Sequence, residues 1–370
     1  MVDWKASMIQ TFEFYVVDPT SWTDVRRLDS VKSCSISRDA NAETLGSATI
    51  DITESVGECY IRVYLITIQN GVREKHPLGT FLVQTPLTSF NGKIRNISVD
   101  AYTPLIELKE KPAPIGYTIL EDDNIMENAY MLTRTNARAP VVKTECDTKL
   151  FYNYTANIND TWLVFLQDLM ANAKYVFDLD EMGRILFAPD QDAASLQPVW
   201  TYDDDNSSIL YPEIDMEQDM YNVPNVVDVV YSSDGHYIYA EVVNDDENSP
   251  FSTVNRGRRN VKRITDPDIV GNPSYEHVQE YAHQKLRDLS ALEYTITYSH
   301  GYCPVRVGDC VRLNYARAGI TNIKAKVISQ TIDCTPGCRV TEKAVFTINN
   351  FSHYTSNIIN DSEVSLNEPV

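Results

Sequence analysis

In the segment Lys32–Arg38, Cys34 and Ile36 alternate with Ser33, Ser35 and Ser37. In Ala48–Thr53, Ala48, Ile50 and Ile52 alternate with Thr49, Asp51 and Thr53. A period of two is the period of a β-strand, whose successive side chains point to opposite faces of a sheet. Each segment therefore predicts a strand with one apolar, buried face and one face of short hydroxyl and carboxylate groups. The pattern returns at Glu293–Ser299, where Tyr294, Ile296 and Tyr298 alternate with Glu293, Thr295, Thr297 and Ser299. With 22 tyrosines, recurrent β-branched residues and only 14 glycines, the chain reads as mainly β.

Other strands are expected at 11–17, ended by Asp18-Pro19, and at Tyr60–Gln69 and Thr80–Thr85 across a polar turn Asn70–Lys75. Another is expected at Ile94–Tyr102, after the hairpin signal Asn91-Gly92. Residues 1–112 thus read as one β domain, closed by the stiff break Lys111-Pro112-Ala113-Pro114. An α+β insertion over 113–205 follows. It holds a short helix at Asp122–Thr133, a helix at Trp162–Ala173 capped by Asp160, and a hairpin with its turn at Asp180–Gly183. Strands return at Ile209–Ile214, Val226–Tyr231, Tyr237–Val243, Lys324–Ile332 and Val340–Asn349. Among them lies one amphipathic helix, Ser274–Leu292, with Ser274 as N-cap and a stripe of Tyr275, Val278, Tyr281, Ala282, Leu286 and Leu289. Residues 206–351 form a second β domain with one helix, and 352–370 a polar, acidic tail. The two β segments are alike in pattern and share no exact repeat.

Asp and Glu number 52 against 32 Lys and Arg, a net charge of -20. Such a surface repels phosphates, which argues against tight nucleic-acid binding but is compatible with DNA passing an acidic wall. No apolar run reaches the roughly 18–20 residues that cross a bilayer, so membrane insertion is not expected. Met1-Val2-Asp3-Trp4-Lys5 lacks the basic and apolar regions of a signal peptide, so folding in a cytosol with reduced cysteines is expected.

Catalytic signatures are missing. His76, His236, His277, His283, His300 and His353 make no HxH, HExxH or HxxxH pair, and no G-x-S-x-G elbow occurs. The histidines read as satisfied surface or core residues. Cys334 and Cys338 flank a turn, with Cys303 and Cys310 in nearby strands. Four thiols can hold zinc, two can form a disulfide, and all can stay free; the x3 and x6 spacings depart from C-x2-C. Asp203-Asp204-Asp205 and Asp245-Asp246-Glu247 match no EF-hand loop and read as solvated acids. No cofactor is expected. Arg256, Arg258, Arg259, Lys262 and Arg263 form a basic patch in an acidic chain, either a dock for an acidic partner or a solvated loop. The faces Ser33/Ser35/Ser37, Thr49/Asp51/Thr53 and Glu293/Thr295/Thr297/Ser299 read either as ordinary exposed sheet or as a wall facing a water-filled channel.

The block Asn225–Tyr231, the helix Tyr275–Leu292 and the run Pro304-Val305-Arg306-Val307-Gly308-Asp309-Cys310-Val311-Arg312-Leu313 resemble the C-terminal half of the bacteriophage baseplate hub family, related to late control protein D. Lys32–Thr53 and Tyr60–Thr85, with Pro77-Leu78-Gly79-Thr80-Phe81-Leu82-Val83, look like the first hub β domain, and the helix-hairpin insertion fits. The resemblance covers about 340 residues through order and pattern. It implies two tube-like β-barrel domains per chain flanking the insertion. It also implies a homotrimer whose six barrels join a six-fold tail tube to a three-fold spike or tip. Implied partners are the tail tube or distal tail protein, the spike or tip protein, the tape measure protein and other baseplate proteins, with DNA only in transit. The implied location is the virion tail, assembled in the host cytoplasm. Some hubs carry a fused lysozyme or peptidase domain, which this sequence lacks, so a structural and non-enzymatic role is expected. Two other readings compete. One is a tail-associated cell-wall hydrolase. The other is a receptor- or glycan-binding β protein, with Trp4, Trp22 and Trp200 as isolated aromatic candidates.

Overall fold

The computed structural model describes residues 2–348, apart from positions 91, 94, 192, 194, 219–222, 234–235, 266, 268, 270–273 and 290–291. At 85, 218, 233, 236, 292–293 and 347–348 it describes the backbone alone. The expected tail, 352–370, lies outside the described residues. The protein is mostly β, with 47% of the described residues in strands and 15% in helices, as the alternating segments predict. Two compact units divide it. The first is Met1–Glu213 with Tyr298–Arg312 and Lys326–Lys343; the second is Ile214–Thr297 with Leu313–Ala325 and Ala344–Val370.

The first unit opens with β1 (Ile9–Val17), β2 (Asp24–Arg27), β3 (Val31–Asp39), β4 (Gly46–Ile52), β5 (Tyr60–Gln69), β6 (Val72–Phe90) and β7 (Arg95–Tyr102). They pair antiparallel in the order β3-β4-β7-β6-β5-β1-β2. The turn expected over Asn70–Lys75 is shorter. Gln69 pairs with Val72, leaving Asn70 and Gly71 as a two-residue loop with φ of 51° and 78°. Asn and Gly adopt that left-handed conformation at low cost, so the hairpin closes early. β6 then starts eight residues before the expected strand at Thr80 and runs for 19 residues. Apolar faces of β3, β4, β5 and β7 supply Ile36, Ile50, Ile52, Val63, Leu65 and Val99, all without exposed surface.

The chain continues through α1 (Ile106–Glu110), β8 (Thr118–Ile119), α2 (Ile125–Asn136), β9 (Tyr154–Thr155), α3 (Trp162–Ala171), β10 (Tyr175–Leu179), β11 (Ile185–Pro189) and β12 (Pro198–Asp203). The cap of α3 corrects the sequence reading. Thr161 accepts from the Val164 N–H (3.3 Å), whereas the Asp160 carboxylate accepts from Asn157 N–H (2.8 Å) and closes the preceding turn. Asn124 caps α2 by accepting from Glu127 N–H at 2.8 Å, and Asp122, expected inside that helix, has a φ of 68° that excludes it. Trp162, Phe165, Leu166 and Leu169 of α3 share one core with Ile125 and Ala129 of α2, Phe177 and Phe187 of the hairpin, and Trp22 and Tyr60. The Trp22 indole N–H donates to the Met182 carbonyl at 2.8 Å, so the β10–β11 turn is held by the connection between β1 and β2.

β13 (Leu210–Gln218) leads to the second unit, with β14 (Val226–Ser233), β15 (His236–Val243), α4 (Thr253–Arg256), β16 (Val261–Ile264) and α5 (Tyr275–Leu289). The chain ends in β17 (Leu292–Gly301), β18 (Cys310–Tyr315), β19 (Ile320–Asp333) and β20 (Arg339–Ile348), strands that contribute to both units. β15, β14 and β16 form a three-stranded sheet in which β14 and β16 run parallel. Val278, Ala282 and Leu286 of α5 bury against Val227, Val229, Ala240 and Val242. The Ser274 hydroxyl accepts from His277 N–H at 3.3 Å, the expected N-cap bond. Part of the basic stretch read as loop is ordered as α4 and β16, because Val261–Ile264 finds a partner strand in β14. Among the described residues, no helix is long and apolar enough to cross a membrane.

Candidate functional site

Strand pairing assembles the hydroxyl-bearing positions into one continuous sheet face in the first unit. Asp333 of β19 pairs with Ser35, Ser35 with Thr49 and Thr49 with Asp100 of β7. A second row runs Thr331–Ser37–Ser47–Tyr102, and a third Ser33–Asp51–Ser98–Leu87. Cross-strand neighbours in such rows sit about 5 Å apart. The Ser33 hydroxyl donates to the Asp51 carboxylate at 2.6 Å, and Thr49 approaches Asp100 at 3.5 Å. Ser33, Ser37 and Thr49 are exposed, and Ser35 and Asp51 half-buried, while Cys34, Ile36, Ala48 and Ile50 behind them are buried. Thr53 lies just past β4, exposed, its hydroxyl donating to the Ser30 carbonyl at 3.3 Å. Along these rows stand three carboxylates, those of Asp51, Asp100 and Asp333, and no Lys or Arg. A face of this kind is wetted, short-armed and repulsive to phosphate. Ser47, Ser98, Asp100, Thr331 and Asp333 escaped sequence reading. Register joins them to the face, and no local pattern signals that.

The β17 candidates are placed differently. Thr295 and Thr297 belong to the second unit and are half-buried. Ser299 belongs to the first unit and is buried; its hydroxyl contacts Thr341 Oγ1 (2.9 Å) and accepts from Arg339 (3.1 Å). The Glu293 side chain lies outside the described residues.

The four cysteine candidates do not converge. Cys303 lies against the Tyr202 hydroxyl (3.2 Å), Cys310 near the Ala193 carbonyl (3.9 Å), and Cys334 donates its backbone N–H to the Cys34 carbonyl (3.0 Å). Cys338 is buried beside the same core as Cys34 and Cys334. All seven cysteines are free thiols. Burial raises the Cys338 thiol, and contact with Cys34 followed by burial raises that of Cys334, so neither is a ready thiolate. Among the described residues no group of three or more His, Cys, Asp or Glu is placed to hold a metal ion.

In the basic stretch, Arg259 pairs with Glu241 (2.6 Å) and Arg263 with Asp228 (2.9 Å). Arg256 donates to the Val223 carbonyl (2.7 Å) and covers the Phe251 ring. Arg258 and Lys262 stand exposed.

No family model matches the chain, and no curated protein matches it in sequence. Solved structures do. A tail protein from Neisseria meningitidis MC58 superposes over 91% of this chain and 97% of its own, with a TM-score of 0.62 at 16% identity. The 43 kDa tail protein of prophage MuSo2 from Shewanella oneidensis covers 90% of this chain and 98% of its own, with a TM-score of 0.63 at 11% identity. The chain has the fold of phage tail proteins. A prophage tail protein from Listeria monocytogenes EGD-e matches over 92% of this chain and 95% of its own, with a TM-score of 0.51 at 12% identity.

Within this tail-protein fold, one polar cluster stands out because it is wholly internal. His300 and Glu342 have no exposed surface and approach to 3.3 Å. Glu342 also accepts from the Tyr298 hydroxyl (2.6 Å), the Tyr202 hydroxyl (3.3 Å) and the Gln330 amide (2.6 Å). The other ring nitrogen of His300, Nδ1, donates to the Gly301 carbonyl at 2.7 Å. Burial disfavours a charged imidazole, but the Glu342 carboxylate outweighs it and pushes His300 up to about 10. Burial opposes ionisation of Glu342 too, and His300 with its hydrogen-bond donors prevails, lowering that carboxyl. Cys303 Sγ lies 3.9 Å from His300 Nδ1, but both are buried, so this thiol–imidazole contact offers no substrate access. Its geometry serves the packing of β12, β17, β19 and β20.

Proposed function

We propose that the protein is a structural component of a phage tail, a baseplate or tail-tip hub, and not an enzyme. The observation that carries this reading is the match to tail proteins over nine-tenths or more of both chains. The resemblance of the strand and helix blocks to the hub family narrows it to a hub. In this reading residues 1–112 and 206–351 are tube-like barrel domains flanking the 113–205 insertion, with 352–370 as a tail. Three copies form a ring that adapts a six-fold tube to a three-fold spike or tip. Its neighbours are tube or distal tail, tape measure, spike and other baseplate proteins. It acts in the virion after assembly in the host cytoplasm.

The hydroxyl-carboxylate face supports a role as channel wall. DNA moves past a surface only if it does not adhere, and phosphate contacts by Lys and Arg are the main source of adhesion. Ser33, Ser35, Ser37, Thr49 and Asp51 provide none, and Thr53, Thr295 and Thr297 extend the proposed lining. Light scattering on the purified chain, alone and with tube and spike proteins, is expected to give a trimer. Contacts in that trimer bury well over roughly 1,000 Å² each. A chain that stays monomeric at high concentration with both partners present would overturn the hub reading.

A further inference from the structure

We propose that the second unit carries a docking cleft for an acidic peptide segment of another protein, one that presents carboxylates beside an aliphatic side chain. A cavity of about 460 Å³ is lined by the polar residues Arg258, Arg259, Asn260 and Lys262 and the apolar residues Pro224, Val261 and Leu289. That volume lies within the range of sites that take a small ligand or a few side chains.

Charge makes the cleft an exception in this molecule. The chain carries a net charge of -20, yet five cations fall between 256 and 263. The unit's own acids take up two of them, Glu241 binding Arg259 and Asp228 binding Arg263. Arg258 and Lys262, both exposed on the cleft wall, make no ion pair among the described residues. Burial, and then the positive charge of Arg258, hold the Arg256 guanidinium below its ordinary value, as expected where cations crowd.

The backbone beneath these cations is held in place. Asn225 has no exposed surface; its amide donates to the Arg258 carbonyl (2.9 Å) and its side-chain oxygen accepts from the Asn260 N–H (2.6 Å). Asn260 donates in turn to the Val223 carbonyl at 3.0 Å. A buried asparagine spanning the loop and β14 fixes the segment before any partner arrives, which reduces the ordering cost of binding. β16 is also anchored, by parallel pairing with β14. The apolar lining restricts the ligand further, because a bare anion leaves Val261 and Leu289 unused, whereas a peptide with an aliphatic residue beside its carboxylates can cover both kinds of lining residue. This inference does not depend on the tail reading.

The test is fluorescence anisotropy on the full chain with a labelled peptide of alternating Glu and Leu, a Lys-Leu peptide as the opposite charge, and inorganic phosphate as competitor. Saturable binding of the Glu-Leu peptide that weakens with salt is expected, with no binding of the Lys-Leu peptide. Arg258→Ala with Lys262→Ala is expected to weaken binding by roughly ten-fold or more, with the circular dichroism spectrum unchanged because both side chains are exposed. Lys262→Gln alone is expected to give a smaller loss, and Lys143→Ala, in the first unit, none. No binding by the wild-type chain, equal binding by the double variant, or full displacement by millimolar phosphate would each overturn the assignment.

Discussion

At His300, burial and a neighbouring charge pull in opposite directions. The carboxylate of Glu342 prevails, and the imidazole stays protonated well above its ordinary range. The sign of the pH dependence follows. A raised histidine contributes stability that is complete below its unfolded value near 6.5 and is lost as pH rises through about 10. The lowered Glu342 contributes above the ordinary carboxylate range and loses its share as pH falls through its folded value. Thermal melting is therefore expected to show a plateau from above the ordinary carboxylate range to about pH 6.5, then a fall that runs through about pH 10 and levels off above it. Glu342→Ala removes the acceptor of the buried Tyr298, Tyr202 and Gln330 donors and lets burial neutralise His300, and is expected to cost about 3–5 kcal/mol near neutral pH. Glu342→Gln keeps a hydrogen-bonding oxygen for Tyr298 but removes the charge, so its high-pH fall should vanish. A Glu342→Ala melt equal to wild type at pH 7 would refute the ion pair. In the sequence His300 was one of six histidines without a motif, read as satisfied. It is satisfied, but by Glu342, by the Tyr202 hydroxyl 3.0 Å from its Nε2 and by Gly301, and only folding brings the first two to it.

At the scale of elements, β3 and β4 were legible because alternation is local: Cys34, Ile36, Ile50 and Ile52 announce their own buried face. Elements that rely on a distant partner were not. β2 has three exposed residues among its four and exists because it pairs with β1. β16 reads as part of a basic loop until β14 supplies its hydrogen bonds. The orientation of β4 gives a sharp comparison. Thr49→Lys places a cation on an exposed face and is expected to change stability by no more than about 0.5 kcal/mol. Ile50→Lys, one residue on, places it in a core position without exposed surface and is expected to cost several kcal/mol, enough to unfold the chain. Urea denaturation of the two variants checks this, and equal midpoints would show that the register is wrong.

For the whole molecule, the face is proposed to act through what it does not hold. Particles carrying Thr49→Lys together with Asp51→Lys are expected to assemble tails of normal appearance but to deliver DNA more slowly. Both added charges would bind passing phosphates, and the effect should shrink as salt rises. Delivery kinetics identical to wild type would count against the lumen. The sequence by itself determined the β class, the one-sided strands, the amphipathic helix and the acidic balance, because period, composition and charge are properties of neighbouring residues. Tertiary structure decided which rows of hydroxyls and carboxylates share a face, which cations are already paired, and that His300 finds Glu342. Those facts depend on strand register and on contacts between residues far apart in the chain, and no local pattern encodes them.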